Sequence, residues 1–452
     1  MKKLLLVSLI CLLVFSFATT AVAKVTLNYW IYPIFTSPEK EAGWFEKRVI
    51  AEFQEIYPEV EFELQFLPWT SGPQKVAMSI ATGTPPDLIV DAYMRGMSYA
   101  AAGVLSDYED TMDAEEKADY YQSVLDMVKI DGKIYMYVLS AHGKGMPINR
   151  LVAEKAGAMD LLPLDRDDRD WTVEEYKKFC LKIAEAKIPD TYAMTLHFAD
   201  SNTQQEYIFY IHQNFGAVPF VIEDGKYRCT LNSPEAIEGL EWYLDLYSIP
   251  GVGIPGPESL TCDWIPDYWF TGRLASHLAG ATATSILKER KDPKISKFVD
   301  NIVVNTPHKK GLKSKGYTIP VGFCVFKTTP EREKYAKLFA EFFVTRPYLW
   351  VETSGYACPP RRGSFDPDSP LYQTNPYPPN DTEINFVLNW AKYMEIVDIG
   401  GQCPVNRQYR EIYAATMQGV FTGELTPKEG LDIVVKRVNK LLDDYYEENP
   451  VE

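Results

Sequence analysis

The spacing of apolar residues changes period several times along the chain, and each change marks an element. From Lys24 the run Val-Thr-Leu-Asn-Tyr-Trp-Ile31 is β-branched and aromatic and stops at Pro33, which predicts a buried first strand. Phe45, Val49, Ala51, Phe53 and Ile56 then recur at helical spacing. Tyr57-Pro58 ends that helix, because the residue before proline avoids the α region. Val60 to Leu67 alternates with glutamates and Gln65 as a second strand; Gln74 to Ala81 is a helix closed by Thr82-Gly83-Thr84; Asp87 to Asp91 holds the apolar centre Leu88-Ile89-Val90 of a third strand. Strand, helix, strand, helix, strand is the pattern of a doubly wound α/β layer. Ligands in such sheets sit beyond the carboxyl ends of the strands. The loops opening at Trp30, Leu67 and Asp91 should therefore share one rim, and each carries an aromatic group: Trp30 and Tyr32, Trp69, Tyr93.

Beyond this layer the segment Asp131 to Asn149 is extended and punctuated by glycines, which suits a crossing between two lobes. Thr172 with Glu175 forms a capping box that opens a helix running to Ala186, and Ser233-Pro234 opens another with a serine cap and proline at the first helical position. Helical periodicity returns over Pro330 to Phe343 and Lys428 to Tyr446. A chain of 452 residues exceeds the size at which single cores stop growing, so two domains are the default.

The first 23 residues read differently. Lys2 and Lys3 precede an apolar stretch from Leu4 to Ala18 and then Ala21-Val22-Ala23, the layout of a signal peptide cleaved after Ala23. The stretch is too short to span a bilayer, and Cys11 lies within it rather than at a lipid-anchoring position, so a freely secreted, periplasmic chain is expected. Cleavage would take the net charge from −16 to −18. That surface repels nucleic acid and argues against a strongly anionic ligand. Export permits disulfides among Cys180, Cys229, Cys262, Cys324, Cys358 and Cys403, with Cys358–Cys403 the first pair to test; buried thiols, such as Cys324 within Val321 to Phe326, are the competing reading.

No phosphate loop, HExxH or GxSxG occurs, and His142, His197, His212, His277 and His308 are scattered, so no catalytic residue, metal or cofactor is expected. Asp165-Arg-Asp-Asp-Arg-Asp170 has alternating oxygens like a calcium loop but lacks its central glycine, and reads as an acidic linker before the Thr172 cap. A secreted glycoside hydrolase would share the acidity and the aromatics, yet nothing singles out an acid and a nucleophile. A sensor or adhesin module is a third class.

At Met78-Ser-Ile-Ala-Thr-Gly83-Thr-Pro-Pro-Asp87-Leu-Ile-Val-Asp91 the chain resembles the bacterial extracellular solute-binding proteins of ABC transporters, family 1, the maltose-binding-like carbohydrate-uptake group. Further landmarks follow in order: Ala102-Gly103-Val-Leu105, Asp131-Gly132-Lys-Ile-Tyr135, Ala156-Gly157, Trp171-Thr172, Phe270-Thr-Gly272-Arg-Leu-Ala275 and Gly355-Tyr-Ala-Cys-Pro359. The resemblance implies a two-lobed α/β periplasmic-binding-protein fold of the class II type, each lobe a mixed sheet flanked by helices, with a ligand cleft between them. It places residues 24–140 and 285–347 in an N-terminal lobe and 141–284 and 348–452 in a C-terminal one. It also implies a monomer that captures a sugar or small oligosaccharide by hinge closure and hands it to membrane permease subunits. A sugar acid, a polyol or glycerol phosphate is the alternative ligand.

A pyranose offers apolar faces and a ring of hydroxyls, so flat aromatics beside polar side chains suit it. Trp30, Tyr32, Trp69, Asp91 and Tyr93 meet that description in the first lobe, and Trp264, Tyr268 and Trp269 beside Asp263 and Asp267 in the second, while core packing is expected for Trp44, Trp242 and Trp390. The resemblance adds Arg95, His142, Tyr356, Asn406, Arg407 and Arg410 as contact positions. It puts Thr282 and Thr284 where maltose-binding relatives stack tryptophans, which argues against a long maltodextrin. Arg95, Lys144, Arg361, Arg362 and Arg407 would serve an anionic ligand.

Overall fold

The computed structural model describes residues 24–35, 41, 43–68, 71–143, 145–201, 204–278, 280, 283–345, 360–365, 381–389, 393, 395–397 and 403–450. The expected signal peptide, Trp69, Thr282, Tyr356, Cys358 and Trp390 lie outside them.

The first lobe opens as its periodicity predicts. β1 (Val25–Ile31) leads through α1 (Trp44–Ile56) to β2 (Val60–Phe66), then through α2 (Gly72–Ala81) to β3 (Leu88–Ala92). α3 (Tyr93–Ala101) follows β3 directly and leads to the short β4 (Leu105–Ser106). β1 pairs in parallel with β2 on one edge and β3 on the other. β5 (Tyr137–Gly143) ends the first passage through this lobe, and β6 (Met146–Asn149) begins the second lobe.

The second lobe is mainly helical: α4 (Val173–Glu185), α5 (Gln204–Ile211) and α6 (Pro234–Tyr247) share one core with β6 and its antiparallel partner β7 (Asn301–Val304), the short α7 (Trp264–Trp269) belongs to a separate small cluster, and α8 (Ala283–Lys291) precedes β7. The chain then returns along β8 (Thr318–Phe326), which inserts antiparallel between β3 on one side and β4 and β5 on the other. α9 (Pro330–Val344) covers the first sheet, while α10 (Asn406–Phe421) and α11 (Pro427–Glu448) complete the second lobe.

Two cores result. In the first, Phe53, Phe323 and Phe343 meet Phe339 from α9, with Phe53 and Phe339 edge to face at 5.2 Å. In the second, Trp171, Tyr176 and Phe179 pack beside Tyr207, Tyr210 and Tyr413. Ile319 touches both, which marks β8 as one strand of the connection.

The pairings set the changes of lobe. β5 stays in the first sheet through Gly143, three residues past the expected 140. The return differs more. Residue 285 was expected to lie in the first lobe, but β7 still pairs with β6, Trp171 Nε1 donates to the Asn305 carbonyl at 2.7 Å, and His308 meets Asp170 at 3.0 Å. The chain regains the first sheet at Thr318. Arg361 in turn still binds Asp119 of the first lobe at 2.7 Å, beyond the expected departure at 348.

Crossing strands need small residues where they pass. A Cβ on Gly145 would lie 2.2 Å from Val303 Cγ1, and one on Gly322 would lie 2.3 Å from the Tyr137 carbonyl, beside the irregular register at Val321/Gly322. The acidic run at Asp165 to Asp170 is held by side-chain contacts: Arg169 turns inward at φ +47° and forks onto the Glu383 carboxylate, and Asp170 accepts from His308.

Candidate functional site

Because β1, β2 and β3 are parallel, their carboxyl ends share one rim. Asp91, next to last in β3, is buried there and accepts from the Ala92 amide at 2.8 Å, Arg95 Nε at 2.7 Å and the Tyr99 hydroxyl at 3.0 Å. Arg95 and Tyr99 stand one turn apart on α3, so a single helix face delivers both to the strand end. Arg95 Nη2 adds an ion pair to the same carboxylate oxygen. Tyr32, immediately after β1, lies under this pair with the Arg95 guanidinium 4.9 Å from its ring centre. Gly72 permits the approach of α2, since a Cβ there would fall 2.7 Å from the Tyr32 ring.

Electrostatics follow from burial. Burial raises the Tyr32 and Tyr99 hydroxyls, the Asp91 charge raises them further, and Arg95 opposes. For Arg95 burial works against the charge, but Asp91 overcomes it and holds the guanidinium above its ordinary value.

From the second lobe α10 presents Arg410. Its Nη1 donates to Gln205 Oε1 at 3.2 Å, while its Nε is closed off from solvent with no hydrogen-bond partner. Its pKa is lowered to about 10, chiefly by burial and then by the Arg95 charge; Arg407 adds to this, while Glu411 and Glu206 oppose. The Arg95 charge of the first lobe thus acts on Arg410 of the second.

Residues 36–348 match the family model described as bacterial extracellular solute-binding protein. The chain belongs to that family. Among solved structures it is similar to an ABC substrate-binding protein of Listeria monocytogenes in complex with cycloalternan, at TM-score 0.73 and 19% identity over 93% of this chain and 99% of that one. A Thermotoga lettingae solute-binding protein bound to α-D-tagatose gives 0.72 and 22% over 92% and 99%, and UgpB of Mycobacterium tuberculosis in complex with glycerophosphocholine gives 0.70 and 18% over 93% and 99%. These likenesses show the two-lobed fold. A curated binding protein of Brucella abortus is 23% identical over 250 residues, 55% of this chain and 57% of its own, so the chain spans little more than half the curated relatives it matches.

Within this solute-binding protein the candidate residues separate into groups. Tyr32, Asp91 and Arg95 form one cluster, with Tyr99 added by the structure. Tyr93 is buried in the first core, and Trp30 packs on that core's edge with Lys75 Nζ 4.9 Å from its ring centre. Trp264 and Asp267 are exposed on α7, and Trp264 lies 6.3 Å from Tyr268. Trp269 is 2% exposed, edge to face with His277 at 4.6 Å, and packs with Leu260, Leu274 and Val299. Arg407 is exposed and paired with Glu411 at 3.0 Å. The backbone of His142 pairs with Ile319, while its side chain lies outside the described atoms. Gln205 carried no mark in the sequence beyond its place in Gln204-Gln205-Glu206, a polar run opening a helix that is buried throughout.

Proposed function

We propose that this protein is the extracytoplasmic capture component of an ABC importer that takes a sugar, small oligosaccharide or polyol. The observation that carries the reading is the cluster of Tyr32, Asp91 and Arg95 at the parallel strand ends of the first lobe, in a chain of the solute-binding family. A ligand held by both lobes would favour the closed arrangement, with β5 and β8 as the hinge, and the closed form would be the one offered to a membrane permease. The family is extracellular, and no helix among the described residues is long and apolar enough to cross a membrane. On this reading residues 1–23 are the export signal, the mature chain works as a monomer without catalysis, and Trp264 with Tyr268 offers an outer stacking surface.

Thermal shift against a panel of sugars, oligosaccharides and polyols tests the proposal, since a ligand that binds only the folded state raises its stability. Stabilisation without turnover is the expected result. Steady release of reducing sugar from an oligosaccharide would instead make the protein a glycosidase.

A further inference from the structure

A side chain that contacts a ligand must be reachable from the cleft, and three members of the first-lobe cluster are not. Tyr32, Asp91 and Tyr99 are buried, whereas the Arg95 side chain is 28% exposed. The Asp91 carboxylate is both enclosed and engaged. Its Oδ1 accepts from the Ala92 amide at 2.8 Å and from Arg95 Nε at 2.7 Å, with Arg95 Nη2 paired to the same oxygen, and its Oδ2 accepts from the Tyr99 hydroxyl at 3.0 Å. A ligand hydroxyl could reach it only by displacing a donor that it already holds.

The surroundings of Arg95 serve to hold it still. Asp91, Arg95 and Tyr99 recur at four-residue intervals from the end of β3 through α3, so they line one face. The helix is pressed onto the sheet beside Arg95, since a Cβ on Gly96 would fall 2.6 Å from Met136 Cε and 2.8 Å from Cys324 Sγ. The Tyr32 ring centre lies 4.9 Å from the guanidinium. Nε and Nη2 are turned to Asp91, which leaves Nη1 without a partner among the described residues. A long side chain loses rotamer freedom when it grips a ligand; this one has lost much of it beforehand.

We infer that Asp91 and Tyr99 are positioning residues: they hold Arg95 so that Nη1 donates to a hydroxyl oxygen of the ligand, and neither touches the ligand itself. This rests on the reading of the chain as a capture protein for sugars or polyols, and it removes Asp91, an expected contact, from the set that meets the ligand. Asp91 also balances the Arg95 charge, which leaves a directed donor in place of a free cation.

Calorimetry on the mature chain tests this with whichever of glucose, maltose, ribitol and glycerol binds most tightly, the substitutions being combined as a double-mutant cycle. Arg95→Gln is expected to weaken binding about tenfold or more, and Tyr99→Phe about threefold. Added to Arg95→Gln, Tyr99→Phe should cost nothing further, because the group it positions is gone. The Arg95 Nε–H resonance, assigned in arginine-labelled protein by its absence in Arg95→Lys, gives a second readout that needs no ligand. It should exchange slowly with solvent in the unsubstituted chain and faster in Tyr99→Phe. An equal loss from Tyr99→Phe with and without Arg95, unimpaired binding by Arg95→Gln, or Nε–H exchange unchanged in Tyr99→Phe would each overturn the inference and leave the capture reading standing. No binding by any of the four probes or by the wider sugar panel would overturn both.

Discussion

Glu46 stands in the first turn of α1, fully buried, with no hydrogen-bond partner on either carboxylate oxygen. Burial raises its pKa from 4.5 to about 7. The folded state thus binds the proton more tightly than the unfolded chain. Its contribution is complete below pH 4.5 and is lost as pH rises through about 7. Glu46→Gln should stabilise the protein by about 2–3 kcal/mol at pH 8 and by almost nothing at pH 4, from about 1.4 kcal/mol per pKa unit. Denaturant melts at the two pH values check this, and an equal effect at both would refute it. Trp269 is the residue for which composition misled. Beside Asp267 and Trp264 it reads as a stacking ring, but six residues of α7 do not reveal which face turns inward. Its burial predicts that Trp269→Ala costs about 3–5 kcal/mol in a melt. The Asp91–Arg95 pair was closer to legible, because i,i+4 spacing after a strand end needs only local geometry. Arg410 and Gln205 lie 205 residues apart, and no local signal joins them.

At the level of elements, local signals read well and distant pairings did not. The Thr172 capping box forms with Glu175 as its four-residue signature requires, and the Ser233 and Thr329 caps follow the same logic before Pro234 and Pro330. Thr172→Ala should cost about 1 kcal/mol, read as a shift in denaturant midpoint, with the slope unchanged. β8 was visible only as the apolar run Val321 to Phe326. Its insertion between β3 and β5 depends on partners far away in sequence, such as Gly143 for Thr318 and Leu88 for Val325, which periodicity cannot specify. The same blindness misplaced the return to the first lobe, since it takes the β6–β7 pairing and the Asp170–His308 contact to show that the chain stays in the second through His308. Gly322→Ala should weaken the β5–β8 pairing, because its Cβ would strike the Tyr137 carbonyl. Hydrogen exchange should report the loss at Tyr137 to Gly143 before the rest of the sheet.

Across the whole molecule, two aromatic cores joined by β5 and β8 make each lobe rigid and leave the connection as the place where motion concentrates. Crossings at Gly145 and near Thr318 leave few residues to absorb the change of angle, as a hinge requires. The two-lobed class was legible because a βαβαβ start and an extended glycine-punctuated crossing survive in the sequence; the ligand was not, because its contacts are shared between lobes. The most direct test is small-angle X-ray scattering of the mature protein, empty and saturated with the tightest ligand found. Closure predicts a smaller radius of gyration and a shorter maximum dimension in the bound state. A tight ligand that leaves both unchanged would contradict capture by closure.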